Sequence, residues 1–385
     1  MKLFSVDDHI VEPADVWTSR LPSKYRDVGP HVVEDDGREF WEFEGRRVHT
    51  MGLNAVVGRP REDWDREPIR FTDMRKGCYD PVERAKDLVS EGVVASLAFP
   101  TLPRFGGALF PSFEDKELAD LSVRAWNDFM MDEWCAAAPD VFVPMAIVQL
   151  WDPKLAADEI QRMLAKGIRA ISIPEETSHL GLPSYYDPIW DPVWSACQEA
   201  DICVCMHIGS SGWKPFVPEG ASEVLVPALG FVPTITHAVG MAFGPVPRKF
   251  PDIKMVYSEG GIGWVPVTME RADSRFEVHK QWSGINDIKP SEVFRRNFWF
   301  CMMPDEEYGI RQRHDIGVDR IVWETDYPHN NTPWPDTEAI ATKMFAAAGV
   351  PQDEVDMITH KNAEGIFRWE CKSKEELNLP PRMPI

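Results

Sequence analysis

The sequence is poor in basic residues. Its 385 residues include 41 lysines and arginines against 62 aspartates and glutamates, which gives a formal charge of −21 at pH 7. Nucleic acid and anionic membrane surfaces are bound by basic faces, so this balance argues against both kinds of partner. We expect a small-molecule substrate instead, and the acidity itself is consistent with simple solubility.

The sequence also lacks signs of export or membrane insertion. No stretch approaches the ~18–20 apolar residues of a membrane-spanning helix. The segment Met1–His9 reaches charged side chains too early for a signal peptide. The seven cysteines are odd in number and several lie in apolar runs, so we expect small core residues of a cytoplasmic protein rather than disulfide pairs.

Short apolar runs rich in β-branched and aromatic residues alternate with amphipathic helical patterns. Runs that are almost continuously hydrophobic are typical of parallel strands covered on both faces. Eight of them predict an α/β fold, a closed (β/α)₈ TIM barrel. The alternative is an open doubly wound sheet. That fold would require a Gly-rich turn after the first strand, where Asp7 and His9 are found instead. The runs are Leu3–Ile10, Ala95–Pro100, Val141–Leu150, Ile168–Pro174, Ile202–Ile208, Lys254–Glu259, Phe298–Met303 and Arg320–Asp326.

Two segments do not fit the alternation. Residues 11–82 form a long insertion after the first strand, and an Asp36-Gly37 pair between alternating runs predicts a β-hairpin within it. We expect this insertion to fold as a β-rich flap near the barrel mouth. We predict one metal-dependent barrel domain over residues 1–370. Residues 371–385 are predicted to be a tail that is loosely ordered or wrapped on a neighbouring subunit.

Chemistry-bearing side chains follow five of the eight predicted strands. In barrel enzymes the active-site groups stand at the C-terminal ends of the strands, so these residues are candidates for one site. Residues two apart on a strand face the same side, so Asp7 and His9 can both point into the barrel while Asp8 points away. The other strand ends carry Glu175, Glu176, His207, Glu259 and Asp326, with His329 three residues further on.

Taken singly, these residues have ordinary structural explanations. Asp7 could cap a turn, Glu259 could be a solvated loop acid, and an isolated histidine such as His207 is more often hydrogen-bonded than a ligand. Their convergence from strands distant in sequence changes the balance. Unpaired buried charges are costly, so several carboxylates at one barrel mouth need a cation.

Five motifs spread over nearly the whole chain are specific in combination. They are Val6–Pro13, His207–Ser211, Ser258–Trp264, Glu324–His329 and Asn362–Phe367. Together they resemble the amidohydrolase superfamily. The most similar branch is the amidohydrolase-related group that includes aminocarboxymuconate-semialdehyde and resorcylate-type decarboxylases.

This resemblance implies roles for individual residues. Asp7, His9, His207 and Asp326 match the metal ligands of the family. Asp326 also matches the base that activates metal-bound water, so His207 and Asp326 are candidate catalytic residues as well. The helix that begins at Asn362 matches a structural hallmark of the family with no catalytic role.

The sequence departs from the family pattern at three strand ends. The first strand carries Asp-x-His instead of His-x-His or Glu-x-His, and Glu259 stands where a histidine is common. Glu175, or alternatively Glu176, takes the place of the lysine that bridges two metals in some members. These changes would allow a second, carboxylate-rich site formed by His207 and Glu259, with Glu175 as a bridge. Such a ligand set suits manganese or iron better than zinc, so one or two Mn, Fe or Zn ions are expected.

Three functions are compatible with these residues. The first is hydrolysis or non-oxidative decarboxylation of a small carboxylate- or amide-bearing substrate, with Asp326 as acid/base. The second is a dinuclear Fe/Mn monooxygenase, which would need an external electron-transfer partner. The third, a non-catalytic subunit, is disfavoured by the near-complete ligand set. His329 could be a ligand, an acid/base, a residue that orients Asp326, or an exposed loop histidine. A homo- or hetero-oligomer is also expected.

Overall fold

The computed structural model describes residues 1–48, 50–64, 67–222 and 224–385. Within them, eight parallel strands and the helices between them form the main body, and a small antiparallel sheet lies in the insertion after the first strand. The strands are β1 (Leu3–Ile10), β2 (His31–Asp35), β3 (Arg38–Phe43), β4 (Arg46–Val48), β5 (Val93–Pro100), β6 (Met145–Ile147), β7 (Ala170–Ser172), β8 (Cys203–His207), β9 (Lys254–Ser258), β10 (Phe298–Met302) and β11 (Ile321–Trp323).

The parallel strands close into a ring. Strands β6 to β11 pair side by side in chain order, and β1 pairs with β5. A parallel bridge between Ser96 and Phe142 joins β5 to the segment before β6. The ring closes between β1 and the segment that follows β11. There the Asp326 N–H donates to the Asp7 carbonyl at 2.8 Å, and the His9 N–H donates to the Tyr327 carbonyl at 2.7 Å. The predicted α/β TIM barrel is therefore confirmed.

Helices connect the strands and cover the barrel. Three of the long ones begin at an aspartate, Asp80, Asp115 or Asp152, whose carboxylate accepts hydrogen bonds from two backbone N–H groups of the first turn. The helices are α1 (Pro81–Ser90), α2 (Lys116–Phe129), α3 (Pro153–Leu164), α4 (Asp191–Glu199), α5 (Leu225–Ala228), α6 (Val232–Phe243), α7 (Val246–Lys249), α8 (Val265–His279), α9 (Pro290–Asn297), α10 (Glu307–Arg311), α11 (Arg313–Ile316), α12 (Thr337–Ala347), α13 (Gln352–Asp356), α14 (Asn362–Phe367) and α15 (Lys374–Leu377).

The barrel interior is a packed core that is closed at one end by α14. Phe4 on β1 packs on Phe367 of α14 with ring centroids 5.6 Å apart. The Asn362 side-chain amide donates to the carbonyls of Val318 and Ile321 at 2.8 Å, which fixes the start of α14 beneath β11. All seven cysteines are buried and free, so the expectation of small core residues is confirmed.

The insertion contains the three-stranded sheet β2-β3-β4. Its first hairpin turns at Asp36 and Gly37, whose φ angles of 46° and 71° are both positive, as a tight type I′ turn requires. The hairpin prediction is therefore confirmed. Phe43 of β3 stacks on Phe113 with centroids 4.5 Å apart, which ties the sheet to the loop after β5.

The C-terminal tail packs on its own chain, an arrangement that neither sequence-based alternative included. The Arg382 guanidinium donates to Glu91 at the end of α1 at 2.5 Å, and Arg75 donates to the Met383 carbonyl at 2.7 Å. Both guanidinium groups lie over the Trp334 ring, at 4.9 and 4.7 Å from its centroid. Cation–π contacts of this kind explain why the tail lies against the loop after β11.

One described stretch, Leu225–Phe243, is long and apolar enough to span a membrane by length and composition alone. The sequence prediction that no stretch approaches this length is therefore wrong. In the fold the stretch comprises α5, a turn and α6. Pro227 and Phe231 line one cavity, and Pro233 and Met241 line another, so part of its apolar surface walls these cavities.

A glycine lets the loop after β5 approach the end of β7. A Cβ on Gly106 would lie 2.5 Å from the backbone nitrogen of Pro174 and closer still to the carbonyl carbon of Ile173. We expect Gly106→Ala to lower the free energy of unfolding by about 1–3 kcal/mol, as overpacking does, in denaturant titrations. The matched control is Gly365→Ala on α14, where a Cβ would meet nothing within 4 Å. Equal stabilities of the two variants would contradict this explanation.

Candidate metal centre

An irregularity in β1 sets which side chains of this strand face the barrel. The register against β5 shifts between Ser5 and Asp8, where three steps on β1 match two on its partner. Such a bulge reverses the alternation of side chains beyond it. Phe4 packs in the inner core of the barrel. Asp7 lies an odd number of residues after Phe4, so in a regular strand it would face the opposite side. Because of the bulge, Asp7 and His9 can turn towards the barrel axis as well.

Asp8 faces the opposite side and is bound to the neighbouring strands. Its carboxylate accepts hydrogen bonds from the Ser96 and Thr325 hydroxyls and, at 2.9 Å, from the Tyr327 N–H. Burial raises the pKa of Asp8 to about 6, although nearby Arg84 and these hydrogen bonds act in the other direction. Asp8 is thus a structural link between β1, β5 and the segment after β11.

Asp7, His9, His207 and Asp326 converge at the C-terminal ends of β1, β8 and β11. The Nε2 atom of His9 lies 3.0 Å from Asp326 Oδ1, 3.4 Å from Asp7 Oδ1 and 3.1 Å from Nε2 of His207. His207 Nε2 is also 3.4 Å from Asp7 Oδ2. All four side chains are buried, so ligand-type atoms from distant parts of the sequence face each other away from solvent.

The electrostatics of this cluster favour a bound cation. Both carboxylate oxygens of Asp7 are buried and have no hydrogen-bond donor among the described residues. Burial, followed by repulsion from Glu324, Asp326 and Glu259, holds the pKa of Asp7 well above its usual value. A positive charge stabilises a buried carboxylate of this kind. In the described parts of the chain, no lysine or arginine side chain forms a hydrogen bond or ion pair with Asp7.

The two histidines are arranged to bind through Nε2. Burial lowers the pKa of His207 to about 4 and that of His9 well below the usual range, so both imidazoles are neutral at pH 7. The Nδ1 atom of His207 lies 2.6 Å from the Ile208 carbonyl, which is an acceptor, so Nδ1 carries the proton and Nε2 keeps its lone pair. The donor set of two imidazoles and two carboxylates therefore fits a divalent metal ion.

Two residues of the cluster have strained backbones. Asp326 and Glu259 adopt φ angles of 49° and 54°, in the left-handed region that non-glycine residues rarely occupy. Such conformations cost about 1–3 kcal/mol and tend to occur at functional sites, where they aim a side chain. Here they turn both carboxylates towards the histidines.

His329 is buried beside Asp326 and is not an exposed loop histidine. Its Nδ1 atom lies 2.9 Å from Asp326 Oδ1, and its ring stacks on His9 with centroids 3.9 Å apart. Burial alone would raise the pKa of Asp326, but His329 and His9 more than offset this and hold it below the usual value. Asp326 is therefore ionised, and His329 is placed either to orient it or to exchange a proton with it.

Glu259 reaches the cluster, and Glu324 lies behind it. Glu259 Oε2 is 3.2 Å from His207 Nε2, the same nitrogen that faces Asp7 and His9. Its backbone N–H donates to the Glu324 carboxylate at 2.9 Å, and Glu324 is fully buried. No role for Glu324 was predicted from the sequence, since its place within the strand-end motif did not indicate a buried acid beside the site.

Glu175 is buried but contacts a different part of the structure. Its carboxylate accepts a hydrogen bond from the Thr234 hydroxyl, and its backbone N–H donates to the Ser210 hydroxyl at 3.0 Å. Burial raises its pKa to about 8. Two groups of described residues could jointly ligate an ion. One group is Asp7, His9 and His207, and the other is His9, Asp326 and His329, so neither includes Glu175. The bridging role stays a prediction. Glu176, its alternative, accepts from the backbone N–H groups of the next two residues.

Phe105 covers the histidines, and no sequence pattern predicted this position. Its ring lies 4.0 Å from that of His207 and 5.0 Å from that of His9, measured between centroids. Its position follows from the close approach of the next residue, Gly106, to the end of β7. An aromatic ring in this place limits access of water to the two imidazoles.

An apolar cavity of about 550 Å³ opens beside Glu259. Its walls include Ile208, Phe231, Trp264 and Met303, and its polar lining comprises Glu259, Glu306, Asn330 and Asn331. The Asn331 amide donates to Glu259 at 3.1 Å, which connects this polar edge to the cluster. Among the described residues that line this cavity there is no lysine or arginine.

A cluster of histidines and carboxylates at the C-terminal end of a TIM barrel is typical of metal-dependent barrel enzymes. Residues 15–369 match the amidohydrolase family. The chain belongs to this family, as its five motifs predicted.

Two similar proteins are decarboxylases. Gamma-resorcylate decarboxylase from Rhodococcus jostii (strain RHA1) is 24% identical over 271 residues, which covers 66% of this chain and 78% of the relative. The enzyme of the same name from Polaromonas sp. (strain JS666) is 23% identical over 323 residues, covering 80% of this chain and 92% of the relative.

Solved structures with the same fold cover almost the whole chain. An amidohydrolase from Mycobacterium avium subsp. paratuberculosis K-10 superimposes with a TM-score of 0.74 at 22% identity, over 95% of this chain and 99% of its own. For 5-carboxyvanillate decarboxylase from Sphingomonas paucimobilis the TM-score is 0.66 at 24% identity, over 96% and 99%. For dihydroxybenzoic acid decarboxylase from Polaromonas sp. JS666, with bound manganese and the inhibitor 2-nitroresorcinol, it is 0.64 at 17% identity, over 96% and 97%.

Proposed function

We propose that this protein is a metal-dependent decarboxylase of an aromatic carboxylic acid. The observation that carries the proposal is the position of the cluster of Asp7, His9, His207 and Asp326 beside an apolar cavity. The similarity to two gamma-resorcylate decarboxylases supports it. The manganese in the related Polaromonas structure is compatible with the mixed donor set of two imidazoles and two carboxylates found here.

Asp7, His9, His207 and Asp326 would hold the ion. When bound, a divalent cation supplies a Lewis acid that neutralises the charge of a substrate carboxylate or adjacent hydroxyl group. The described residues of the cavity lining include no lysine or arginine for that carboxylate. An anionic substrate is therefore expected to place its acidic end at the cluster and its ring between the apolar walls.

We propose one ion instead of two. His207 has only Nε2 available for a metal, because Nδ1 is bound to the Ile208 carbonyl. One nitrogen binds one ion, so a second ion would have Glu259 but not His207 as a ligand. It would also lack the predicted bridging ligand, because Glu175 contacts Thr234. Glu259 is then an acidic side chain that lies near the first ion without being one of its ligands.

Asp326 and His329 are proposed to handle the proton. Decarboxylation breaks a ring C–C bond and replaces it with a C–H bond, so one proton must reach the ring carbon as carbon dioxide leaves. Asp326 is the buried carboxylate placed to carry that proton. His329, 2.9 Å from it, would pass the proton to Asp326 and orient its carboxylate.

An assay with defined aromatic acids tests the proposal. The purified protein, supplied with Mn²⁺, is incubated with 2,6-dihydroxybenzoate and with 5-carboxyvanillate, and carbon dioxide and the decarboxylated phenol are quantified. We expect turnover of at least one of these or of another ortho-hydroxylated benzoate. Hydrolysis of amides or lactones without release of carbon dioxide from any acid of the panel would assign the protein to the hydrolases of its family and contradict the proposal.

Metal analysis separates the one-ion site from the dinuclear oxygenase. We expect about one equivalent of Mn per chain, unchanged in Glu259→Ala, because Glu259 is not among the four proposed ligands. About two equivalents of iron or manganese, falling to about one in Glu259→Ala, would instead support the Fe/Mn monooxygenase with an external electron donor. Elemental mass spectrometry of protein produced without added zinc gives the answer.

A further inference from the structure

The cavity beside Glu259 is larger than a single benzene ring requires. An apolar protein cavity of about 150 Å³ is enough to bind benzene. The cavity here has a volume of about 550 Å³, more than three times as much. Glycines contribute to its width, because Gly230, Gly260, Gly261 and Gly263 line it without side chains. A benzoate with one ring would therefore leave most of this space unfilled.

Part of the lining is an aromatic side chain held in place by its neighbours. The Trp264 indole N–H donates to the Gly260 carbonyl at 2.8 Å. Its ring meets those of Phe300 and Phe294 edge to face, with centroids 5.3 and 6.5 Å apart. Because these contacts fix the indole, the surface that Trp264 gives to the cavity is formed before a ligand binds.

The other apolar side chains of the lining are incompletely covered. Phe231, in the turn between α5 and α6, is 38% exposed, and Ile208 and Met303 are half-buried. A ligand that covers them removes apolar surface from water, which is favourable in proportion to the area covered. The lining therefore favours a ligand with a large apolar surface of its own.

The polar groups of the lining already have partners. The Glu306 carboxylate accepts hydrogen bonds from three backbone N–H groups of the loops after β9 and β10. Glu259 accepts from the Asn331 amide at 3.1 Å, and Asn330 and Asn331 are exposed to water. Among the described residues of the lining, no buried side-chain nitrogen or oxygen is without a partner. The part of a ligand that fills the cavity thus needs no polar group.

We infer that the substrate is a polycyclic hydroxy acid, with two or more fused aromatic rings and its acidic group at one end. The inference rests on the proposed function, because it takes the carboxylate and its ortho-hydroxyl group to lie at the four proposed metal ligands. Glu259 lines the cavity and lies 3.2 Å from His207, so the ring system extends from the ligands past Glu259 into the cavity. The far rings contact Trp264 and Phe231. Monocyclic acids bind the same ligands more weakly.

Three nitrophenols test this preference without turnover. The related Polaromonas structure contains the inhibitor 2-nitroresorcinol, and a nitro group cannot leave as carbon dioxide. The probes are 2-nitrophenol, with one ring, 1-nitro-2-naphthol, with the same two groups on two fused rings, and 4-hydroxy-3-nitrobenzyl alcohol, with a polar group in place of the second ring. Each is titrated into the Mn²⁺-supplied protein by calorimetry.

We expect 1-nitro-2-naphthol to bind about tenfold or more tightly than 2-nitrophenol, because four further apolar carbons leave water. The benzyl alcohol should bind no more tightly than 2-nitrophenol, since the lining has no unpaired buried polar group for its hydroxyl. A gain for the alcohol as large as that for the naphthol would overturn the apolar assignment.

Two variants locate the second ring. Phe231→Ala removes an aromatic wall and Met303→Trp fills space, so each should reduce the preference for the naphthol to about threefold or less. Phe216→Ala is the matched control, because Phe216 is 86% exposed, lies in the loop before α5 and does not line the cavity. This control should keep the full preference. Metal content is measured in parallel and is expected to be the same in all three variants.

The results separate this inference from the proposed function. Equal affinities of 2-nitrophenol and 1-nitro-2-naphthol for the wild type overturn the inference. A preference that persists in both folded lining variants also overturns it, since the naphthol would then bind elsewhere. If one variant does not fold, the other decides. Failure of every acid in the carbon dioxide assay would contradict the decarboxylase and leave the binding preference standing. Turnover of monocyclic acids together with equal affinities would keep the decarboxylase and remove the polycyclic substrate.

Discussion

Replacing Asp326 with asparagine is expected to lower kcat for the decarboxylation by about 10³-fold or more. The variant keeps the shape of the side chain and loses both its charge and its ability to carry a proton. Asp326 lies 3.0 Å from His9 and 2.9 Å from His329, so the change affects the ligand set and the proton carrier together.

Saturating Mn²⁺ separates these two effects. An asparagine oxygen still binds a metal, although more weakly, so high Mn²⁺ should restore occupancy without restoring kcat. Full recovery of activity at high Mn²⁺ would limit Asp326 to metal binding and contradict its acid/base role. The matched control is Asp336→Asn, at an exposed position ten residues further along the chain, whose side chain does not cap α12; it should retain full activity.

Removal of the metal is expected to abolish activity and to lower the melting temperature. Without a cation, the buried carboxylates of Asp7 and Asp326 lose their stabilising charge. A ligand present at about 1,000 times its dissociation constant stabilises the native state by about 4 kcal/mol, and this contribution disappears on chelation. Activity and melting temperature should both return when Mn²⁺ is added back.

His207→Ala provides the comparison for this experiment. Because His207 offers Nε2 to the cluster, its removal leaves three proposed ligands, and added Mn²⁺ should restore neither activity nor melting temperature. If the wild-type protein keeps its full activity after treatment with a chelator, with metal loss verified by mass spectrometry, the metal-dependent mechanism is contradicted. A His207→Ala variant with full activity would remove His207 from the ligand set.

The barrel was predictable because its eight strands are buried on both faces, so their hydrophobic runs carry the signal directly. The convergence of Asp7 and His9 with Asp326 was also accessible, since barrel sites form at strand ends. The reason that Asp7 and His9 face the axis was not accessible. It depends on the register shift between Ser5 and Asp8, which is a property of pairing with β5.

Residues on loops were predicted less well. Glu175 follows β7, and its rotation towards Thr234 depends on the packing of α6, which no local pattern encodes. Phe105 reaches the histidines only because Gly106 permits a close backbone approach. The apolar stretch Leu225–Phe243 was not predicted because two prolines and two glycines interrupt it, although its overall composition is that of a spanning helix.

The seam between β1 and β11 has a consequence for biosynthesis. The hydrogen bond from Tyr327 to Asp8 joins residues 319 positions apart, so β1 lacks its second neighbour until the segment around Tyr327 has been synthesised. Asp7 and His9 are translated early, and Asp326 late. A nascent chain that has not reached Asp326 therefore lacks the full set of proposed ligands, and we expect tight uptake of the proposed ion to follow ring closure. We therefore expect the metal content of a preparation to rise with the fraction of chains that have completed folding.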